Sequence, residues 1–526
     1  MAKKKRKSPT APDQMSKPTP TAAPSGVIRN ETPAEPRTVH PVDSISMGIF
    51  IFLLIIVPLA VRAKVLDFTA PRIINPVVDT GLQVGLFAYY KWLLVMVGAL
   101  IVLAILLYKI GAQKYRLRPS YSNAPLLMLA LLILGSVMAA EYKSVALFGI
   151  YSQRDGSLLL LAYLGLCLAA ANTVYKPWFK SGVDMALMLL VAINTIIMLL
   201  DFTGHKLMQA DIIRAILAPA ELRSSLAGSI GNTMGNVNYI SGLAAAMFAY
   251  FMAGTLWHKN TKKQLVAAAA ALAAFVTVLL SFSSSGFVTL LLLTPLFLLV
   301  LWRSRDRRRS LIAGGSLLTA CLLVFVVLNS INPYIYQETI GLFLPQATNI
   351  QDMAAPPTPA LSPPAPEFQL PQPAWSPGTG RTYIWSETLA LIAEHPWLGY
   401  GYGTLPYYFP QDDLYKVANL QDYNRLITKP HSMYMGVAFG LGIPALLIML
   451  SLFGLHFFST GRHVWSRRLS TNHTFAVSLF LFFCAFTIQA LFNDPVVDAG
   501  AIFWILLGVA VSLNKEVDQP APNCII

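Results

Sequence analysis

An all-α, polytopic membrane protein with about twelve transmembrane helices is the fold class this sequence predicts, and three observations predict it. Of the 526 residues, 55% are hydrophobic and only 12% charged, and the mean hydropathy is +0.56, more apolar than a soluble core of this length requires. Apolar runs long enough to cross a hydrocarbon layer of about 30 Å as a helix, roughly 17 residues or more, recur along the chain. Lys and Arg fall in short clusters between these runs, which reads as membrane topology. The formal charge of +14 therefore does not point to nucleic acid, because no basic face is interleaved with aromatic residues.

The elements follow in chain order. Residues 1–45, opening "MAKKKRKSPTAPDQMSKP", are basic, polar and proline-rich and bury too little apolar surface to offset the entropy of ordering. They are expected to form a disordered cytoplasmic tail, with "KKKRK" as a positive-inside anchor. Residues 46–330 hold nine expected spans, near 47–62, 86–108, 124–140, 157–175, 183–201, 239–257, 264–283, 286–302 and 311–330. Residues 331–430 form a large outer loop, periplasmic or extracellular. Its part 354–377, "AAPPTPALSPPAPEFQLPQPAWSP", is a proline-rich extended insert. A short amphipathic helix follows at about 382–395, with Trp385, Leu389 and Ile392 at helical spacing and Pro396 as its stop. Residues 431–513 hold spans ten to twelve, near 432–457, 473–492 and 500–513, and 514–526 form a second cytoplasmic tail.

An even number of spans puts both termini on one side, and the basic tail makes that side the cytoplasm. The loops agree: about 26 of the 39 Lys and Arg lie in segments assigned inside, such as "HKNTKK" and "RSRDRRRS". Three of the four cysteines lie within apolar runs and Cys524 lies in the tail, so no disulfide or metal framework follows.

The residues that could do chemistry gather on the outer side. His431 stands at the outer doorway of a nearly charge-free run, "KPHSMYMGVAFGLGIPALLIML", where an ionisable group is costly unless it lines a wet cavity or serves a substrate. A neutral imidazole can take a proton from a hydroxyl without a metal. Arg381 precedes the outer helix, where a guanidinium beside free backbone N–H groups suits phosphate. Arg154, in "SQRDGSLLLL", and Asn236 and Asn238, in "GSIGNTMGNVNYISG", are candidate substrate-binding residues, since asparagine amides donate to phosphate or sugar oxygens. The plainer readings are an interfacial histidine, an anchoring arginine, and asparagines that cap a helix.

"GRTYIWSETLALIAEHPWLGYGYGT" followed by "HSMYMGVAFGLGIPALL" resembles the paired motifs of the O-antigen ligase and polymerase superfamily. "GNTMGNVNYISG" and "RDGSLLLL" are similar to its glycine-asparagine and upstream arginine segments. The resemblance implies a glycosyltransferase that moves or polymerises a glycan from undecaprenyl diphosphate onto an acceptor glycan, lipid or protein hydroxyl, at the outer face of the cell membrane. Arg381 and His431 match the family's essential arginine and histidine. Two departures stand out: "SSSG" at 283–286 replaces a Ser-Arg-Gly, so an expected phosphate-binding arginine is absent at Ser285, and Ala445 replaces a glycine. The expected mechanism is a one-step inverting displacement with no cofactor and no metal, since the first outer loop has only the separated Asp67 and Asp79. The rival reading is a multi-pass transporter or flippase of lipid-linked glycans, which usually places ionisable groups near mid-membrane.

Overall fold

The computed structural model describes residues 40–71, 81–223, 231–304, 306–343, 371, 380–420, 425–465 and 473–518. Most of the N-terminal tail, nearly all of the proline-rich insert and the end of the C-terminal tail lie outside these residues. Eight helices of the bundle precede the ninth in simple alternation: α1 Pro41–Leu59, α2 Tyr89–Gln113, α3 Asn123–Ala139, α4 Ser157–Ala171, α5 Pro177–Phe202, α6 Val237–Trp257, α7 Thr261–Leu280 and α8 Ser284–Trp302, with α9 Arg307–Ile331 next. Then come α10 Arg381–Glu394, α11 Met433–Leu441, α12 Ile443–Trp465, α13 His473–Gln489 and α14 Val497–Asp518, with a few shorter turns in the loops. Among the described residues nine helices are long and apolar enough to cross a membrane, and α3, α4 and α13 are shorter apolar helices. Together they account for the twelve expected apolar segments. One antiparallel hairpin, Lys64–Phe68 with Gly81–Gly85, joins α1 to α2.

The starts of several helices carry their own stop and start chemistry. Pro41 and Pro177 occupy first-turn positions, where a missing N–H costs nothing. Side chains of Asn236, Asn260, Ser283 and Asp306 cap α6, α7, α8 and α9. Within the bundle, small residues bring backbones together, which is how helices associate where lipid and side chain are equally apolar. Gly508 of α14 lies against the Cys167 carbonyl of α4, and Gly286 of α8 against the Ser241 backbone of α6. Burial separates centre from periphery: 89% of the apolar window of α6 and all of that of α14 are buried, against 17% for α9.

Two features set the position of the site. The apolar run 432–457 does not form one helix. It breaks at Gly442, whose φ of +86° belongs to glycine, so the nine-residue α11 is too short to span and the crossing helix α12 begins at Ile443. The break is held by the loop after α10. Tyr400 and Gly401 N–H groups donate to the Phe439 and Gly440 carbonyls at 3.0 Å each, and Ile443 N–H donates to the Pro396 carbonyl at 2.7 Å. Those bonds satisfy the carbonyls that the end of α11 leaves open.

The second feature is a small apolar core beyond the bundle, in which Tyr383, Ile384 and Ile392 of α10 pack with Tyr400, Leu405, Phe409, Ile427 and Phe439. Ile392 of the expected apolar face lies in this core and Leu389 stands 57% exposed, while Tyr383 and Ile384 also turn inward onto the loop and α11.

Candidate functional site

Residues 425–432 form an extended strap leading into α11, and five consecutive residues of it are tied to different parts of the chain. The Ile427 N–H donates to Gln411 Oε1 at 3.0 Å, and its carbonyl accepts from Gln411 Nε2 at 2.8 Å. Thr428 Oγ1 accepts from Gln153 Nε2 at 2.7 Å. Lys429 Nζ pairs with Asp155 Oδ2 at 2.8 Å, both side chains buried. The Pro430 carbonyl accepts from the Trp385 indole N–H of α10 at 2.8 Å.

His431 completes the series and has a φ of +55°, a left-handed conformation that costs on the order of 1–3 kcal/mol in a non-glycine residue. Its backbone N–H and that of Ser432 lie close enough to the Asp494 carboxylate to act to lower its pKa. The next N–H, of Met433, meets the carbonyls of Ala490 and Asn493 at 3.0 and 3.1 Å. The imidazole is thus fixed against the loop between α13 and α14. Its Nδ1 lies 3.5 Å from Asp494 Oδ2, a charge contact rather than a hydrogen bond, and Oδ2 has no hydrogen-bond partner among the described residues. The imidazole is 27% exposed and the carboxylate 5%, so a substrate can reach the first but not the second.

The electrostatics of this group follow from burial and from an excess of cations. Burial, then Arg381, Arg425 and Lys429, lower the His431 pKa to about 4. Burial raises the Asp494 carboxyl to about 6, partly opposed by Lys429. On acidification the proton therefore goes to Asp494 before His431, and at neutral pH the pair is a carboxylate beside a neutral imidazole. Burial opposes charge on Lys429 too, but Asp155, Tyr239 and Asp494 outweigh it and raise its pKa, so it stays an ammonium.

Arg381 is the first residue of α10, following Gly380 with a φ of +70°. Burial lowers its pKa, while Asp494 acts to raise it and Arg425 to lower it, so Arg381, Arg425, His431 and Asp494 share one electrostatic neighbourhood. The structure brings together Arg381 and His431, which are 50 residues apart in sequence.

Arg154 has its guanidinium over the rings of Tyr89 and Trp92, at 5.7 and 6.0 Å, and its Nε is buried without a hydrogen-bond partner. Its neighbours Gln153 and Asp155 hold the strap, while its own side chain turns to the start of α2. Asn236 caps α6, its side chain accepting from the Asn238 N–H at 2.8 Å, so its oxygen is engaged in local structure. Asn238 Oδ1 accepts from Ser283 Oγ at 2.6 Å, and Ser283 Oγ lies 3.0 Å from Ser285 Oγ. The Asn238 carbonyl lies 3.4 Å from Asn493 Nδ2, beside Asp494. The segment that lacks the expected arginine is therefore an uncharged Ser–Asn cluster.

Four residues escaped the sequence reading: Asp494 and Asp155, and the cations Lys429 and Arg425. Both carboxylates are written next to apolar runs, in "FNDPVV" and "QRDGS", and an acidic residue in that setting is the signal that could have found them. Nearby, Lys91 of α2 is fully enclosed, with Nζ at 2.6 Å from Asp498 Oδ2 and from the Thr233 carbonyl and 3.3 Å from the Pro58 carbonyl. At the opposite end of α2, Lys109 Nζ meets Asp43 Oδ1 at 2.6 Å and the Asn172 carbonyl at 2.9 Å.

Fold and site together define a multi-pass, all-helical membrane protein with a histidine–carboxylate pair and a surplus of cations at one end of its bundle. The family model described as O-Antigen ligase matches residues 268–450, a region that contains both Arg381 and His431. The chain is similar to an O-antigen ligase of Pseudomonas aeruginosa, 32% identical over 77 residues, and this match covers 15% of the chain and 16% of that protein. Both matches make the chain similar to O-antigen ligases over part of its length.

Proposed function

We propose that this chain is a glycosyltransferase of the cytoplasmic membrane, with both termini in the cytoplasm, that transfers or polymerises a glycan from undecaprenyl diphosphate onto an acceptor hydroxyl at the outer face. The observation that carries this reading is a neutral imidazole, fixed by Asp494 and set beside Arg381, inside the region that matches the O-antigen ligase family.

The reaction needs one proton acceptor and a sink for growing negative charge. The acceptor hydroxyl gives its proton to His431 as its oxygen bonds to the anomeric carbon. The bond from that carbon to the diphosphate breaks on the opposite face, and the diphosphate leaves with the electron pair on its polyprenyl carrier. One displacement inverts the anomeric centre. Asp494, facing Nδ1, sets the tautomer that leaves Nε2 free to accept. Arg381 offsets charge on the departing diphosphate, and such a contact in a poorly hydrated site lowers the barrier by about 3 kcal/mol.

A base held near pKa 4 is weak, and the donor itself corrects this. Arg381, Arg425 and Lys429 depress His431, so a bound diphosphate that offsets these charges raises its proton affinity. The base strengthens only when there is something for it to activate.

His431→Ala in the full chain, reconstituted in nanodiscs with lipid-linked donor and acceptor, tests the reading. Product should fall by about 100- to 10,000-fold, with donor left uncleaved. Unchanged product formation by the variant would refute it, and donor stranded on the cytoplasmic face of cells carrying the variant would favour a carrier instead.

A further inference from the structure

We propose that the groove between α7 and α9, at the end of the bundle opposite His431, is a binding site for one anionic phospholipid, with its phosphate at Arg308 and Arg309 and an acyl chain along the two helices. The proposal goes beyond the transfer reaction and does not depend on it.

The position of the groove follows from α6. The first turn of that helix holds Asn238, whose carbonyl meets Asn493 beside Asp494, and its last turn holds Thr255, which lines the groove. Between them the helix rises about 25 Å, so the groove opens in the other leaflet. The basic segments "HKNTKK" and "RSRDRRRS" flank it.

The groove has a volume of about 590 Å³, within the roughly 300–1,000 Å³ of sites that enclose a small ligand. Its lining changes character with depth: Gln264, Arg308 and Arg309 stand at the mouth, and Leu272, Leu317 and Ala320 lie furthest in. That order matches an amphiphile. Length then selects among occupants, because the lining rises about 12 Å along α7 from Gln264 to Leu272 and about 21 Å along α9 from Asp306 to Ala320. This is about one leaflet, half of a hydrocarbon layer of about 30 Å. A spanning helix of a second copy would need the full thickness, whereas an acyl chain needs only the near half. With 17% of its apolar window buried, α9 leaves the groove open to lipid from the side.

The mouth is braced in a way that suits phosphate. Gln264 Nε2 donates to the Thr255 carbonyl at 2.8 Å, which fixes the amide, and its Oε1 accepts from Arg309 Nε and Nη2 at 3.1 and 3.0 Å. Thr261 Oγ1 accepts from the same Nη2 at 3.2 Å. The Arg309 guanidinium is thus carried from α9 across to α7 and held by neutral acceptors. Among the described residues neither Arg308 nor Arg309 closes an ion pair, and Asp306 Oδ1 is turned to its own helix, accepting from the Arg309 backbone N–H at 3.1 Å. Lys262 and Lys263 stand exposed on the facing turn of α7. Cations therefore outnumber carboxylates here, and a phosphodiester offsets the excess through charge-assisted hydrogen bonds. A zwitterionic headgroup brings its own ammonium and gains less. Topology alone accounts for basic loops, but not for an arginine braced across an apolar groove.

The test uses the full chain in detergent, stripped of lipid, with phosphatidylglycerol and phosphatidylcholine of equal chain length as probes, read by native mass spectrometry and by Tm. Phosphatidylglycerol should be retained and should raise Tm, and phosphatidylcholine should do both less. Arg308→Gln, which removes a charge that no hydrogen bond or ion pair engages among the described residues, should weaken phosphatidylglycerol binding by about 5-fold. Ala269→Phe, at an exposed position lining the groove, should weaken it too with every charge in place, and His431→Ala should bind like the wild type. Equal retention of the two lipids, or wild-type binding of phosphatidylglycerol in either groove variant, overturns the proposal. So does displacement of phosphatidylglycerol by equimolar undecaprenyl phosphate, which assigns the groove to the polyprenyl carrier, or an Ala269→Phe chain whose oligomeric state changes while its lipid retention does not.

Discussion

Replacing Asp494 with asparagine should make the protein more stable and less active at the same time, and both effects can be worked from one group. Burial moves this carboxyl from 3.8 to about 6. Because the folded-state value lies above the unfolded one, the folded protein holds an extra proton between those values, and the stabilisation this gives is lost as the pH rises through 6. At pH 7.5 the buried charge costs roughly 3 kcal/mol relative to the unfolded chain, at about 1.4 kcal/mol per pH unit. Asp494→Asn keeps the size of the side chain and removes the charge, so its Tm should exceed that of the wild type at pH 7.5 and approach it near pH 4.5.

The same change removes a charged partner from the His431 Nδ1. Loss of this charge beside the ring should lower kcat by about 10-fold, ~1.4 kcal/mol. The pH profile is the discriminating measurement. In the wild type kcat/KM should drop as Asp494 is protonated near pH 6, whereas in the variant the fall should wait until His431 is protonated near pH 4. Thermal unfolding in detergent, followed by glycan transfer in nanodiscs from pH 4.5 to 8, reads both. A variant with the wild-type rate and an acid limb still at 6, or one destabilised at pH 7.5 with turnover intact, would refute the assignment of Asp494.

Two further outcomes are expected. Transfer should survive EDTA, because Arg381 meets the diphosphate with a guanidinium group, and a strict requirement for added magnesium or manganese would contradict this. Gly442→Ala should fail at the break between α11 and α12. A Cβ there would overlap the Trp397 carbonyl, and the residue holds a φ of +86°, a strain of order 3 kcal/mol for alanine before any clash. Loss of folded protein, read by size-exclusion yield and Tm, is the expected result, and wild-type stability would mean the break is not needed.

The twelve apolar segments were legible because hydropathy reports length and composition, which is all that crossing a bilayer requires. The break at Gly442 was not, since "GVAFGLGIPALL" is apolar on both sides of the turn, and only the docked 396–401 loop shows why the helix stops there. For α10, spacing identifies the helix, but the partner that covers it decides which side turns inward, and beside Ile392 the core takes Tyr383 and Ile384. Arg381 and His431 could be read because each lies in a local motif. Asp494 could not be assigned, because its meaning depends on contacts between segments far apart in the chain. Asn236 caps α6.

The two lysines of α2 bear on how the chain is assembled. Lys109 finds its counter-ion, Asp43, on the preceding helix, so that pair can close as soon as two helices are made. Lys91 must wait for Asp498, which comes 407 residues later on α14. Until Asp498 is in place that ammonium has only carbonyl groups to meet it, so the packing of α2 is not complete before α14 docks.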